Sequence, residues 1–116
     1  MDVVCGTDWS VDARHAAEVA GAIAVRTGGT LVLVHGLELP SVAYVAGDVV
    51  LFPATLAEPE RARAEVAKLL QAEAVRVAEA SGAAVASRVE IGTADIAVLA
   101  AASQAKAGLI VVGTHG

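Results

Sequence analysis

The sequence predicts an α/β domain built on an open parallel sheet in strand order 3-2-1-4. Three observations point there. Short apolar runs alternate with long segments of helical period. The connections are long enough for the crossover helices that parallel strands require. Most of the runs are continuously apolar, as strands covered on both faces are.

The first run is Val3-Val4-Cys5. A helix follows from about Ser10 to Thr27, with Ser10 as its N-cap and Gly28-Gly29 ending it. Ala13, Ala16, Ala17, Ala20 and Ala24 give it a flat small-residue face for the sheet, with Asp12, Arg14, His15 and Glu18 opposite. Leu31 to Val34 is the second run. The connection over residues 37–58 is long, and Tyr44, Val45, Val49, Val50, Leu51 and Phe52 make it too apolar for a solvated linker. It reads as a cover for a pocket, a partner contact, or a surface loop with its own small core.

The second helix starts near Pro59, a suitable first helical position, and ends at Ser81-Gly82. Its buried stripe is expected at Val66, Leu69, Leu70, Ala74 and Val77, with Arg61/Glu65 and Glu73/Arg76 as surface pairs. Val85 to Ile91 is the third run. It alternates, with Val85, Val89 and Ile91 on one parity and Arg88 and Glu90 on the other, so it belongs at a sheet edge. The third helix is capped by Thr93, carries Asp95 in its first turn, is expected to bury Ile96, Leu99 and Ala100, and ends at Gly108. Leu109 to Val112 is the fourth run.

Placing the third strand outermost and the first and fourth inside gives the order 3-2-1-4. Winding then reverses between strands one and four, and the crevice outside their carboxyl ends is where such sheets hold ligands. Gly6-Thr7-Asp8-Trp9-Ser10, His35-Gly36 and Gly113-Thr114-His115-Gly116 converge there. An internal strand so close to the chain's last residue also needs cover, from further chain or another subunit.

Composition narrows the function. With 56% hydrophobic residues but a single Phe, Trp and Tyr, the core must be built from Ala, Val, Leu and Ile. The net charge is −5 with no Lys/Arg cluster, which excludes a phosphate-tracking nucleic-acid surface and disfavours anionic membrane. Cys5 is the only cysteine, so neither an intrachain disulfide nor a Cys-based metal cage is available. The first apolar stretch is broken by Asp2 and Asp8, and no run approaches the ~20 residues of a membrane span. A soluble, cytoplasmic protein is the expectation.

Each candidate site residue has two readings. Asp8 can accept from a ribose hydroxyl or an adenine amino group, or serve as a cap partner for the first helix. Thr7 is a polar pocket wall or a turn residue. Gly36 leaves backbone open to a flat ring, or bends the chain into the next loop. Gly113-x-x-Gly116 lets backbone N–H groups approach phosphate, or is a glycine turn leaving a strand. Trp9 flanks the ligand or covers the first helix. Of the three histidines, His115 is best placed for a phosphate, while His15 reads as helix surface and His35 as a strand-end group satisfied locally. Their spacing does not suit a metal.

Gly6-Thr7-Asp8-Trp9-Ser10, His35, Gly92-Thr93-Ala94 and the final Leu109-to-Gly116 stretch together resemble the universal stress protein family. The resemblance spans the chain and implies a five-stranded, Rossmann-like sheet of the adenine nucleotide alpha hydrolase-like kind in the order 3-2-1-4-5, usually in a homodimer. It also implies ATP or a related adenine nucleotide as ligand, with Mg²⁺ accompanying it. Carried over, the ligand-binding positions are Thr7 and Asp8, Gly36, and Gly113, Thr114, His115 and Gly116. The family's phosphate motif continues through a nine-residue spacer to Gly-Ser/Thr. That half, the last helix and strand five lie beyond Gly116, so residues 1–116 are expected to be a C-terminally incomplete domain.

The expected role is a regulatory, stress-response module working by occupancy, with slow ATP hydrolysis at most. The alternative is a dimeric interaction protein of the same fold that binds no nucleotide. Dedicated enzymes fit poorly: there is no Gly-Lys-Ser/Thr, no G-x-S-x-G elbow, and Gly6 stands alone after the first strand.

Overall fold

Residues 1–38 and 57–114, with the backbone of 43–45 and 48–50, are described by a computed structural model. The elements run β1 (Val3–Gly6), α1 (Val11–Thr27), β2 (Leu31–Leu37), β3 (Ala43–Val45), β4 (Asp48–Val50), α2 (Ala57–Ser81), β5 (Val85–Ile91), α3 (Ala94–Ala105) and β6 (Leu109–Val111). The main sheet has the order β5-β2-β1-β6 and is parallel throughout, which is the 3-2-1-4 order expected.

Strand β1 is central. Val3, Val4 and Cys5 are fully buried, with Val3 opposite both Leu31 and Leu109. Successive side chains of a strand point to opposite faces, so β1 feeds two cores. Val3 and Cys5 join Leu31, Leu33 and Val89 beneath α1 and α2, while Val4 and Val34 pack under Ala97, Val98 and Ala101 of α3. Crossovers β1-to-β2 and β2-to-β5 step one way across the sheet and leave their helices on one face. The crossover from β5 to β6 steps back, so its helix takes the other face.

Helix α1 forms as its sequence dictates. Ser10 Oγ accepts from the N–H of Ala13 at 3.1 Å, and Gly28 ends the helix in the left-handed region at φ 70°. Ala13, Ala16, Ala17, Ala20 and Ala24 are buried, and His15 is exposed. Helix α2 starts at Ala57, two residues before Pro59 (expected first); proline is tolerated there because first-turn N–H groups lack intrahelical partners. Between them, β3 and β4 form an antiparallel hairpin that the sequence reading did not anticipate. The rest of the 39–56 connection lies outside the described residues, and with it the expectation of a pocket cover.

Two buried faces differ from expectation. On α3, Ala97, Val98 and Ala101 are buried, whereas Ile96 and Leu99 are 56% and 61% exposed. This helix is apolar around most of its circumference, so periodicity could not choose a face; contact with Val4 and Val34 did. On α2, Leu69 is exposed and Glu73 is buried. Glu73 is therefore no surface partner.

Arg76 grips Glu73 in two-pronged fashion, Nε to Oε1 at 2.5 Å and a guanidinium nitrogen to Oε2 at 3.1 Å, while its remaining nitrogen donates to Glu18 of α1 at 2.7 Å. Arg14 of α1 stands 4.0 Å from the same carboxylate. This cluster clasps α1 to α2 over the fully buried thiol of Cys5. Burial, with the Glu73 charge adding to it, pushes that thiol up to about 12. No helix among the described residues is long and apolar enough to cross a membrane.

Truncating Arg76→Ala leaves Glu73 buried with only Arg14 near. Urea unfolding should show a loss of about 2 kcal/mol, below the ~3–5 kcal/mol of fully buried pairs because Arg76 reaches solvent. Glu73→Gln in that background should restore part of it. A second expectation concerns alkali. The unfolded thiol ionises near 9.0 but the folded one near about 12, so stability contributed by the protonated thiol is complete below the first value and lost as pH rises towards the second. The stability advantage over Cys5→Ala should therefore narrow between neutral pH and about pH 11 in paired unfolding curves.

Candidate functional site

The β1–α1 turn is built to present Asp8. Thr7, buried, anchors it: its N–H donates to Val34 O at 2.9 Å and its hydroxyl accepts from the N–H of Trp9 at 3.1 Å. Trp9 adopts φ 62°, a left-handed conformation uncommon for a bulky residue and held here by the Thr7 contact. Asp8 then turns its Oδ1 onto the N–H of Ser10 at 2.9 Å. Hydrogen bonds from the Ser10 hydroxyl and N–H hold this carboxyl below the usual carboxylate range, with a smaller pull from His35. Both readings of Asp8 are thus realised together. It supports the α1 N-cap, and an exposed carboxylate has acceptor sites left over.

His35 follows from the same turn. Its Nδ1 lies 2.7 Å from the carbonyl oxygen of Thr7. A carbonyl can only accept, so Nδ1 is protonated and donates in this bond. The ring stacks at a tilt on Trp9, centroids 4.7 Å apart. Trp9 packs on the core of α1 and α2, and its buried Nε1 has no partner among the described residues.

Two glycines bring separate elements to this rim. A Cβ on Gly36 would stand 2.8 Å from the carbonyl oxygens of both Gly92 and Thr93, so only glycine lets the β5–α3 turn lie against the end of β2. A Cβ on Gly113 would meet the backbone of Asp12 at 2.9 Å, so the chain leaving β6 lies against the first turn of α1. The bend and the close approach are one feature.

A cavity of about 480 Å³ opens where these elements meet. Thr7, Asp8, Gly36 and Gly113 all line it, together with Gly6 and His35 at the ends of β1 and β2. Its apolar wall comes from Val34, Val98, Leu99, Ile110 and Val112, and its far lip from Ala94 and Asp95. Thr114 is exposed and does not line it; His115 and Gly116 lie outside the described residues.

Sequence reasoning brought His35 to the crevice but read it as a strand-end group satisfied locally; Asp95 as a wall residue was missed. The available signal was topological: α3 returns across the sheet, so its N-terminus must rise at the same carboxyl rim. Thr93 is the N-cap residue of that helix as expected, but its hydroxyl donates to Asp95 and makes no capping bond. That bond, then the Ile96 N–H, holds the Asp95 carboxyl low.

The profile of the universal stress protein family matches residues 1–116. No curated protein sequence gives a significant match. Among solved structures, a universal stress protein in complex with cAMP is 26% identical with a TM-score of 0.70, over 97% of this chain and 75% of that one. A protein of the universal stress protein family from Burkholderia pseudomallei is 25% identical with a TM-score of 0.69, over 98% and 81%. Universal stress protein UspA from Lactobacillus plantarum, 24% identical over 100% and 80% of the two chains, shares the fold with a TM-score of 0.70.

Gly36→Ala should force the β5–α3 turn away from β2. An expected stability loss of about 2 kcal/mol, typical of overpacking against backbone, is measurable by urea unfolding.

Proposed function

This chain belongs to the universal stress protein family, and we propose that its cavity binds an adenine nucleotide and that occupancy, not turnover, makes it a regulatory module. One observation carries the reading: Thr7, Asp8, Gly36 and Gly113, contributed by the ends of β1, β2 and β6, line a single cavity at the reversal of winding. Its size falls within the roughly 300–1,000 Å³ of small-molecule sites.

The residues present fit such a ligand. The aliphatic wall of Val34, Val98 and Leu99 suits the face of a purine, with Gly36 lining the cavity beside it. The free acceptor positions of Asp8 suit ribose hydroxyls. Gly113, without a side chain, would allow a phosphate to approach backbone N–H groups. The cAMP complex of a relative supports adenine nucleotides as the ligand class. Mg²⁺, where involved, would arrive with the phosphates, since the described residues include no group of three or more His, Cys, Asp or Glu placed to hold a metal ion.

Isothermal titration with ATP, ADP, AMP and cyclic AMP is expected to show saturable binding of at least one of them at one site per chain. Asp8→Ala should weaken it about tenfold, the value of a hydrogen bond to a charged acceptor. No heat from any ligand at millimolar concentration would remove the proposal. Phosphate release from ATP should stay at the level of the Asp8→Ala protein.

A further inference from the structure

The backbone of Thr7 is held on both sides by consecutive residues of β2. Its N–H donates to Val34 O at 2.9 Å, and its carbonyl oxygen accepts from His35 Nδ1 at 2.7 Å. Thr7 is only 6% exposed, so water is a poor substitute for either partner. The Thr7 hydroxyl is committed as well, to the N–H of Trp9.

The turn that follows depends on this grip. Trp9 stands at φ 62°, a conformation that persists only where the surroundings over-determine it. The carbonyl held by His35 belongs to the peptide leading into Asp8, whose Oδ1 lies 2.9 Å from the N–H of Ser10. A buried carbonyl that loses its donor is costly. Rotating the Thr7–Asp8 peptide towards solvent relieves that cost, and the same rotation carries Asp8 off Ser10 and away from its place in the cavity wall.

Resting on the adenine-nucleotide reading, we propose that His35 is a positioning residue for that ligand. Its hydrogen bond to the Thr7 carbonyl fixes the peptide that carries Asp8, and affinity depends on His35 through Asp8. The ring also lines the cavity, and a direct contact with the ligand would leave a different signature. The two ring nitrogens separate the cases. An asparagine amide places a donor where Nδ1 stands, whereas a glutamine amide reaches as far as Nε2. Leucine is close to asparagine in size and offers neither. All three replacements lose the ring that stacks on Trp9, so the stack is equal among them.

The test is calorimetric titration with ATP, ADP, AMP and cyclic AMP of wild type, His35→Leu, His35→Asn, His35→Gln, Asp8→Ala and the Asp8→Ala/His35→Leu double variant. Urea unfolding checks the fold of each. For every nucleotide the wild type binds, His35→Leu is expected to weaken binding about fivefold, less than Asp8→Ala does. His35→Asn should recover most of that loss, and His35→Gln should stay with leucine. In the Asp8→Ala background, His35→Leu should add less than about twofold, because the group it positions is gone. Should the leucine variant fail to fold, asparagine against glutamine carries the comparison. Additive losses in the double variant, or recovery by glutamine and not asparagine, would overturn the positioning role while leaving nucleotide binding intact. Equal affinities for asparagine and leucine would do the same, and a difference between them in stability alone would confine His35 to the fold. Failure of the wild type to bind any of the four nucleotides removes the adenine reading itself, and the role of His35 with it.

Discussion

The architecture hangs on one requirement, the complete burial of β1. Val3, Val4 and Cys5 expose nothing, so helices must lie on both faces of the sheet at this strand. Right-handed crossovers satisfy that only if the chain winds outward in one direction from β1 and later returns to its other side. The reversal leaves a gap between departing connections at the carboxyl ends of β1 and β6, and the cavity occupies it. Site and core therefore share a cause.

Much of this was legible in the residues. The strands announced themselves as continuous or alternating apolar runs, and the alternation of Val85, Val89 and Ile91 with Arg88 and Glu90 placed β5 at its edge before any coordinates. Helix α1 was equally plain, because Ser10 and Gly28 mark its ends and alanines its face. What escaped was information that only packing supplies. Helix α3 is apolar nearly all round, so its buried face is chosen by Val4 and Val34. Glu73 lies one position from the apolar stripe of α2 and looks like any helix-surface acid until Arg76 and Arg14 close around it.

The site divides in the same way. Thr7, Asp8, Gly36 and Gly113 stand beside strand ends in the sequence, and the fold brings those ends together. Asp95 was hidden because its position depends on two backbones touching at Gly36, a contact between residues far apart in the chain. Helix ends provide modest positive potential, while the acidic side chains on those same turns oppose it.

Trp9 is the chain's only tryptophan, and it rests on His35, which also lines the cavity. Its indole thus sits one ring away from any occupant. Intrinsic fluorescence of the unlabelled protein reports on that neighbourhood alone, uncontaminated by a second emitter of its kind. The turn that orients the carboxylate also installs an optical sensor at the mouth of the crevice.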